Sequence, residues 1–404
     1  MKGIRRHRPH RQGRTDPGRA APVLVAIVGV ALAVAAASAV LVGRRGDRRI
    51  PDASDVARWR EAARYHRDVS GDVEKARVAL ESLTAARPED VDALVALGET
   101  LAGAPRRFAR AAELFERALE YDSLSAEAHA GLVEARARLG EMEDAGRALR
   151  RFARLRPDHP FPELLAARLA WVRGDAVGAA AALGRLEAGF PGDLTVRAWT
   201  AEERARIALV GGRLPEADAH FAEALEAART RGDPAEILER TIDRAWATAW
   251  WTADTARAVA RVEAAMGEFP PSSMPADAWP FHYLAEFFAM TGRPDRAGAI
   301  LDAHAAHMEP PPDAVPNPWW QAAWGLIALA EGRPEDAVER FRLWDDGIGC
   351  TVCALGDLGR ALDAAGRRDS ARVVWRRYLA STDLQRIEWD PYYLSLARDR
   401  AGRP

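Results

Sequence analysis

An alanine and two bulky apolar residues recur along this chain at intervals of four and three, each triplet set between a glycine and a proline. Gly71 is followed by Ala76, Leu80, Leu83 and Pro88; Gly140 by Ala145, Leu149, Phe152 and Pro157; Gly174 by Ala179, Leu183, Leu186 and Pro191. Positions four and seven apart share one face of an α-helix, so each triplet reads as the buried stripe of a helix. Gly140 to Gly174 is 34 residues, and Gly71 to Gly140 is 69, two such units plus one residue. A period of this size predicts a stacked array of units, none of which buries its apolar face alone.

The period persists to the C-terminus. Ala111, Phe115, Ala118 and Ser123 repeat the offsets once a residue is inserted near Pro105. Gly212 leads to Ala217, Phe221 and Ala224, and Gly292 to Ala297 and Leu301. Gly332 leads to Ala337, Phe341 and Trp344, and Gly366 to Ala371, Trp375 and Tyr378. One unit lacks the glycine but keeps Ala258, Val262, Ala265 and Pro270 after Ala253-Asp254, which makes nine units. The glycine suits the left-handed end of a first helix. Pro215, Pro294 and Pro334 then fall in the first turn of the second, where a missing N–H costs nothing. The small alanine lets two helices approach, and the closing proline stops the second one. The expectation is all-α: about nine antiparallel helix pairs plus a terminal helix.

This pattern resembles the tetratricopeptide repeat family, as in Leu94-x2-Leu97-Gly98 with Ala111, Phe115 and Ala118, or Gly332-Arg-Pro-Glu-Asp-Ala337-x3-Phe341. The resemblance covers roughly residues 56–404. It is strong in 56–191 and 332–385 and weaker between, where the periods stretch to 38–41 residues. The longer periods imply longer helices or loops, such as the joints at Pro270-Pro271 and Pro310-Pro311-Pro312. The resemblance implies a right-handed α-solenoid whose concave groove binds peptides or partner proteins.

The hydropathy pattern changes at the N-terminus. Residues 22–43 carry no charge, and Ser38 is their only polar side chain. At ~1.5 Å per residue they span ~33 Å as a helix, enough for a ~30 Å hydrocarbon core. Seven basic residues precede the run (Lys2, Arg5, Arg6, Arg8, Arg11, Arg14, Arg19) and four follow it closely (Arg44, Arg45, Arg48, Arg49). That imbalance favours a cytoplasmic N-terminus and extracytoplasmic repeats, although counting Arg58 and Arg60 narrows it to seven against six. The division is a basic cytoplasmic tail at 1–19, a transmembrane signal anchor at 20–43, a linker at 44–55 and the solenoid at 56–404. A cleaved signal peptide ending at Ala37-Ser38-Ala39 is the competing reading. The apolar run is longer than such segments and continues to a double arginine, which favours the anchor. Ala31, Ala35, Ala39 and Gly43 form a small-residue stripe that suits a homodimer, though so alanine-rich a span produces stripes by chance.

Charge narrows the partners. The whole chain has a net charge of −2, and residues 56–404 hold 46 of its 57 Lys+Arg and 55 of its 59 Asp+Glu, a balance of about −9. A nucleic-acid face would be basic, so nucleic acid is set aside. No P-loop, His-Glu-x2-His or Gly-x-Ser-x-Gly motif occurs, so no enzymatic activity and no cofactor are expected. Cys350 and Cys353 are the only cysteines. They lack the second pair a structural zinc needs and the following His of a haem site. A local structural disulfide, inert thiols and a redox-responsive pair stay open. His304 and His307 are spaced to share a metal, but no acidic or cysteine ligand accompanies them, and packed or solvated histidines are the simpler reading.

Trp199, Trp279, Trp319 and Trp389 each precede a glycine by thirteen residues. In tetratricopeptide geometry that position and those three, seven and ten further on tend to face the groove. The register gives Trp199, Glu202, Arg206, Arg240, Asp243, Trp250, Trp279, His282, Glu286 and Trp319 as candidate partner-binding residues. The alternative packs these indoles between repeats, where tryptophan buries well. Two functions follow: a membrane-tethered scaffold binding proteins or peptides, or an extracytoplasmic sensor binding a small ligand or peptide and acting through a separate signalling partner.

Overall fold

The computed structural model describes residues 52–69, 72–103, 107–270, 273–275, 278–306 and 318–402. The apolar segment at 20–43, Gly71, Pro105, the triple proline and His307 lie outside the described residues. Among those described, no helix is long and apolar enough to cross a membrane. Residues 54–404 form one compact unit.

Nineteen α-helices make up the described chain. The first eight are α1 (Ala53–Arg64, running on into a π-helical turn, Tyr65–Val69), α2 (Val73–Ala86), α3 (Val91–Ala102), α4 (Phe108–Tyr121), α5 (Ala126–Arg138), α6 (Met142–Leu155), α7 (Phe161–Val172) and α8 (Ala176–Gly189). The middle holds α9 (Leu194–Val210), α10 (Leu214–Arg231), α11 (Pro234–Thr252), α12 (Thr255–Glu268), α13 (Phe281–Met290) and α14 (Pro294–Ala305). The last are α15 (Pro318–Ala330), α16 (Pro334–Gly347), α17 (Leu355–Ala364), α18 (Arg368–Ala380) and α19 (Arg386–Arg400). Each odd helix from α3 to α17 packs on the even helix after it, and the pairs stack in chain order. With α1 and α2 this gives nine pairs and a terminal helix. Odd helices also touch one another, as α3 touches α5, α5 touches α7, and α13 touches α15, so they form the inner layer.

Local sequence explains each break between helices. Asp72, Asp90, Asp175, Asp193 and Asp254 sit before helix starts and accept backbone N–H bonds of 2.7–3.1 Å, satisfying donors that have no partner within the helix. At the other end the repeat glycine adopts φ near +75°, for example Gly140 at 78° and Gly332 at 74°. The unit without a glycine keeps the same backbone: Ala253 has φ 56°, the one non-glycine residue with positive φ among those described. The stacking geometry demands that turn even where a β-carbon opposes it.

The stretched periods resolve into longer helices. α9, α10 and α11 have 17, 18 and 19 residues, against 12–14 in α2 through α8. Within pairs, an aromatic ring from the outer helix fills the space over an inner-helix glycine. A β-carbon on Gly98 would sit 2.7 Å from the Phe115 ring, and one on Gly359 2.5 Å from Trp375.

The period does not anticipate how the unit closes. α19 packs on α17 and α18 as the next element of the stack, and also on α7 and α9, far earlier in the chain. The link before it does the same. Leu384, 2 % exposed, joins the apolar cluster of Val133, Ala137, Leu165 and Leu169. Thr382 Oγ1 donates to the Ala137 carbonyl at 2.6 Å, and Arg138 Nε donates to Asp383 Oδ2 at 3.0 Å. Asp383 also accepts from the Thr351 N–H at 2.9 Å, in the loop between α16 and α17.

Candidate functional site

Two cavities lie along the inner helices, and both are completed by chain from beyond residue 318. The larger, about 550 Å³, is walled by Glu99 of α3, Glu127 and Glu134 of α5 and Phe161 of α7. Trp319, Ile348, Cys350 and Gln385 form the opposite side. Glu127 and Glu134 stand seven residues apart and so share one helix face. Arg138 is the cation of this cavity, and it is already engaged: Asp383 holds it at 3.0 Å and Glu134 at 3.7 Å. The wall therefore combines apolar side chains with three carboxylates, of which Glu99 faces Arg67 and Glu134 faces Arg138, each at 3.7 Å.

The smaller cavity, about 70 Å³, lies where α9, α11 and α13 meet α19. Arg206, Asp243, Trp246, Tyr283 and Glu286 line it from the first three helices; Glu388, Trp389, Tyr392 and Tyr393 line it from α19. A buried ion network runs beside it. Arg240 bonds Glu202 at 2.5 Å and lies 3.7 Å from Asp243 and from Glu236. Arg206 lies 3.7–3.9 Å from Glu203, Glu202 and Asp243. Arg168 of α7 bonds Glu203 at 2.7 Å and Glu388 at 3.2 Å, tying α19 to two earlier inner helices. Three arginines thus share five carboxylates.

Burial sets the ionisation of this group. It raises the Glu202 carboxyl to about 8 despite the pull of Arg240 and Arg206. Partial burial raises Glu239 to about 7. Burial lifts Glu388 as well, against Arg168 and Arg206, and lifts Glu286 well above the carboxylate range, with Asp357 adding to the effect. His282 falls to about 4, mainly through burial and partly through His304.

The structure separates the ten candidates. Glu202, Arg206, Arg240 and Asp243 come together in the network, and Glu286 lines the small cavity with Arg206 and Asp243. Trp250 packs against Tyr392 and Tyr393 at 5.6 and 5.5 Å, so α19 covers it. Trp199 packs on Phe161 at 5.5 Å in a cluster with Leu164, Leu186 and Val196, between repeats and not on an open wall. Trp279 is 8 % exposed, with its indole N–H donating to the Met274 carbonyl, which makes it part of the joint before α13. His282 lies 5.1 Å from Trp319, and Trp319, 38 % exposed, lines the large cavity. His304 is buried and stacked on Phe281 at 3.7 Å. Among the described residues no three His, Cys, Asp or Glu are grouped to hold a metal. Cys350 and Cys353 are joined by a disulfide inside the closing loop, where both are buried.

The tetratricopeptide repeat family profile matches residues 104–169. The match spans α4 to α6 and most of α7. Solved structures similar to it include yeast Tom70, 11 % identical, covering 86 % of this chain and 89 % of its own, with a TM-score of 0.41. A tetratricopeptide repeat protein from Parabacteroides merdae is 14 % identical over 81 % of this chain and 99 % of its own, TM-score 0.33. MamA is 22 % identical over 42 % of this chain and 96 % of its own, TM-score 0.31. No curated protein sequence matches the chain.

The residues that the repeat register misses are Arg168, Glu203, Glu388, Tyr392 and Tyr393. Four of the five owe their role to α19 crossing the array. One signal was present in the sequence: Trp389, Tyr392 and Tyr393 leave α19 with apolar bulk on more than one face, the mark of a helix enclosed on several sides.

Proposed function

We propose that this protein is a membrane-tethered scaffold that binds a partner segment in the large inner cavity of its repeat array. The observation that carries the reading is the 550 Å³ cavity, with apolar walls at Phe161, Trp319 and Ile348 and carboxylates at Glu99, Glu127 and Glu134. Apolar anchors with charged flanks suit a short partner segment carrying apolar and basic side chains. The uncharged run at 22–43 supplies the tether, and the basic tail before it supports a cytoplasmic N-terminus. The small-residue stripe in that run is compatible with a homodimer.

The test uses the full chain, extracted from its own membranes in mild detergent, to capture partners beside two variants, Trp319→Ala and Glu127→Arg. Matching helical circular dichroism makes the three comparable. Partners held by the parent and lost by both variants support the reading. Identical captures remove the large cavity as the binding surface. Recovery of the chain in the soluble fraction without detergent removes the tether.

A second reading, a ligand sensor acting through a separate signalling partner, is favoured by the small cavity. It is built jointly by early helices and by α19, so an occupant would bear on how the unit closes.

A further inference from the structure

Glu286 stands out in the small cavity. It is 6 % exposed, and its Oε1 makes no hydrogen bond. The charged group that acts on it is another carboxylate, Asp357. Arg206 lines the same cavity, but Glu202, Glu203 and Asp243 already surround its guanidinium. A buried carboxyl with no cation partner is costly to ionise. A cation beside it removes that cost.

The rest of the wall suits a cation of one kind. Trp246, Trp389, Tyr392 and Tyr393 present aromatic rings to the cavity, and ring faces attract ammonium groups once water is excluded. Tyr283, 38 % exposed, connects the wall to solvent. At roughly 10–15 Å³ for each water-sized occupant, 70 Å³ takes about five heavy atoms. That is the size of a four-carbon primary amine, and too small for a peptide segment or a nucleotide.

We propose that this pocket binds a primary alkylammonium group, with Glu286 as its counter-ion and the four rings as its walls. The chemistry is shared by a free alkylamine and by the end of a lysine side chain. The proposal deepens the ligand-sensor reading and rests on it for its consequence, a change in how firmly α19 is held. Binding requires the Glu286 carboxylate, which burial disfavours, so it releases a proton and weakens as the pH falls. The titratable and charged groups around it are Arg206 on α9, Asp243 on α11, Tyr283 on α13, Asp357 and its partner Arg360 on α17, and Glu388, Tyr392 and Tyr393 on α19.

The test is calorimetric titration of the full chain, in maltoside detergent, with n-butylammonium chloride, and with n-butanol as the neutral isostere. Saturable butylammonium binding is expected, at least ten-fold weaker in Glu286→Gln and absent for butanol. No saturable binding by the unaltered chain, equal binding by the variant, or equal binding of butanol each overturns the proposal. Should Glu286→Gln fail to fold, Trp389→Leu replaces it: a ten-fold loss supports the pocket, and unchanged affinity overturns it. Tighter binding of 1,4-diaminobutane than of Nα-acetyl-lysine methylamide assigns a free amine, and the reverse assigns a lysine side chain. Hydrogen exchange of α19 with and without butylammonium tests the sensor reading separately. Binding without any change in exchange supports the pocket and sinks the sensor.

Discussion

The repeats from α2 to α8 and those from α9 onward follow one set of local rules, yet their inner faces end differently. In the first group the helices have 12–14 residues, the core is Ala, Leu and Phe, and ion pairs such as Arg110–Glu113 lie at the surface. The inner face there borders the larger cavity, about 550 Å³. In the second group the helices reach 19 residues, and Arg206, Arg240 and their carboxylates are buried beside α19, with Arg168 reaching in from α7. A charge at an exposed pair contributes little to stability, whereas a charge in a buried network is costly to leave alone. One repeat grammar thus builds either an open wall or a closed polar core. What decides between them is whether another helix covers the face.

The sharpest way to break this difference is at the closure. Asp383→Ala leaves Arg138, 9 % exposed at its side chain, without its closest carboxylate. The expected loss is about 3–5 kcal/mol in denaturant unfolding, with exchange protection falling first in α19. Unchanged stability would show that the closure does not hold the unit. Leu384→Ala removes the apolar half of the same link and is expected to cost about 2–4 kcal/mol, read as a lower unfolding midpoint.

The buried network makes the second group lose stability as the pH rises. In the first group burial instead lowers His129 and His159, whose contribution to stability is lost as the pH falls. Glu202 and Glu239, raised to about 8 and about 7, keep protons that the unfolded chain has already released. Their contribution to stability is full below the unfolded value of 4.5 and is lost as the pH rises through 7 and 8. The expected loss is on the order of 1–3 kcal/mol between pH 5 and 9, and Glu202→Gln should flatten it. A thermal profile equally steep in the variant would remove Glu202 as its source.

Smaller effects sharpen the comparison from the local side. Ala253→Gly relieves a left-handed alanine at the end of α11 and should stabilise by about 1 kcal/mol; any destabilisation would show that the turn is held by something other than φ. Arg110→Ala breaks a pair whose side chains are each 58 % exposed and should change stability by less than about 0.5 kcal/mol.

Much of the fold was legible because its rules are short-range. The glycine at the end of each first helix, the alanine-leucine stripe and the proline in the second helix act within one unit, so reading 34 residues at a time recovered the pairs and their count. The candidate site was legible only in part. Glu202, Arg206, Arg240, Asp243 and Glu286 fell on the inner face as the register required. Trp199 and Trp279 did not open onto a groove, since an indole at that position packs equally well between repeats. Ala253 shows the opposite case, where a missing glycine hid a turn that stacking imposes all the same.

The sequence alone determined that this chain is a stack of helix pairs, that its N-terminal run is apolar enough to span a membrane, and that its inner face carries acids and aromatics. Those are properties of composition and of contacts between near neighbours. Only the tertiary structure decided that Asp383 meets Arg138 across 245 positions, that α19 covers Trp250, and that Glu286 is left without a partner in a ring-lined pocket. A repeat period encodes how each unit meets the next. It carries no information on where the last helix settles once nine pairs have turned the chain back toward its own beginning.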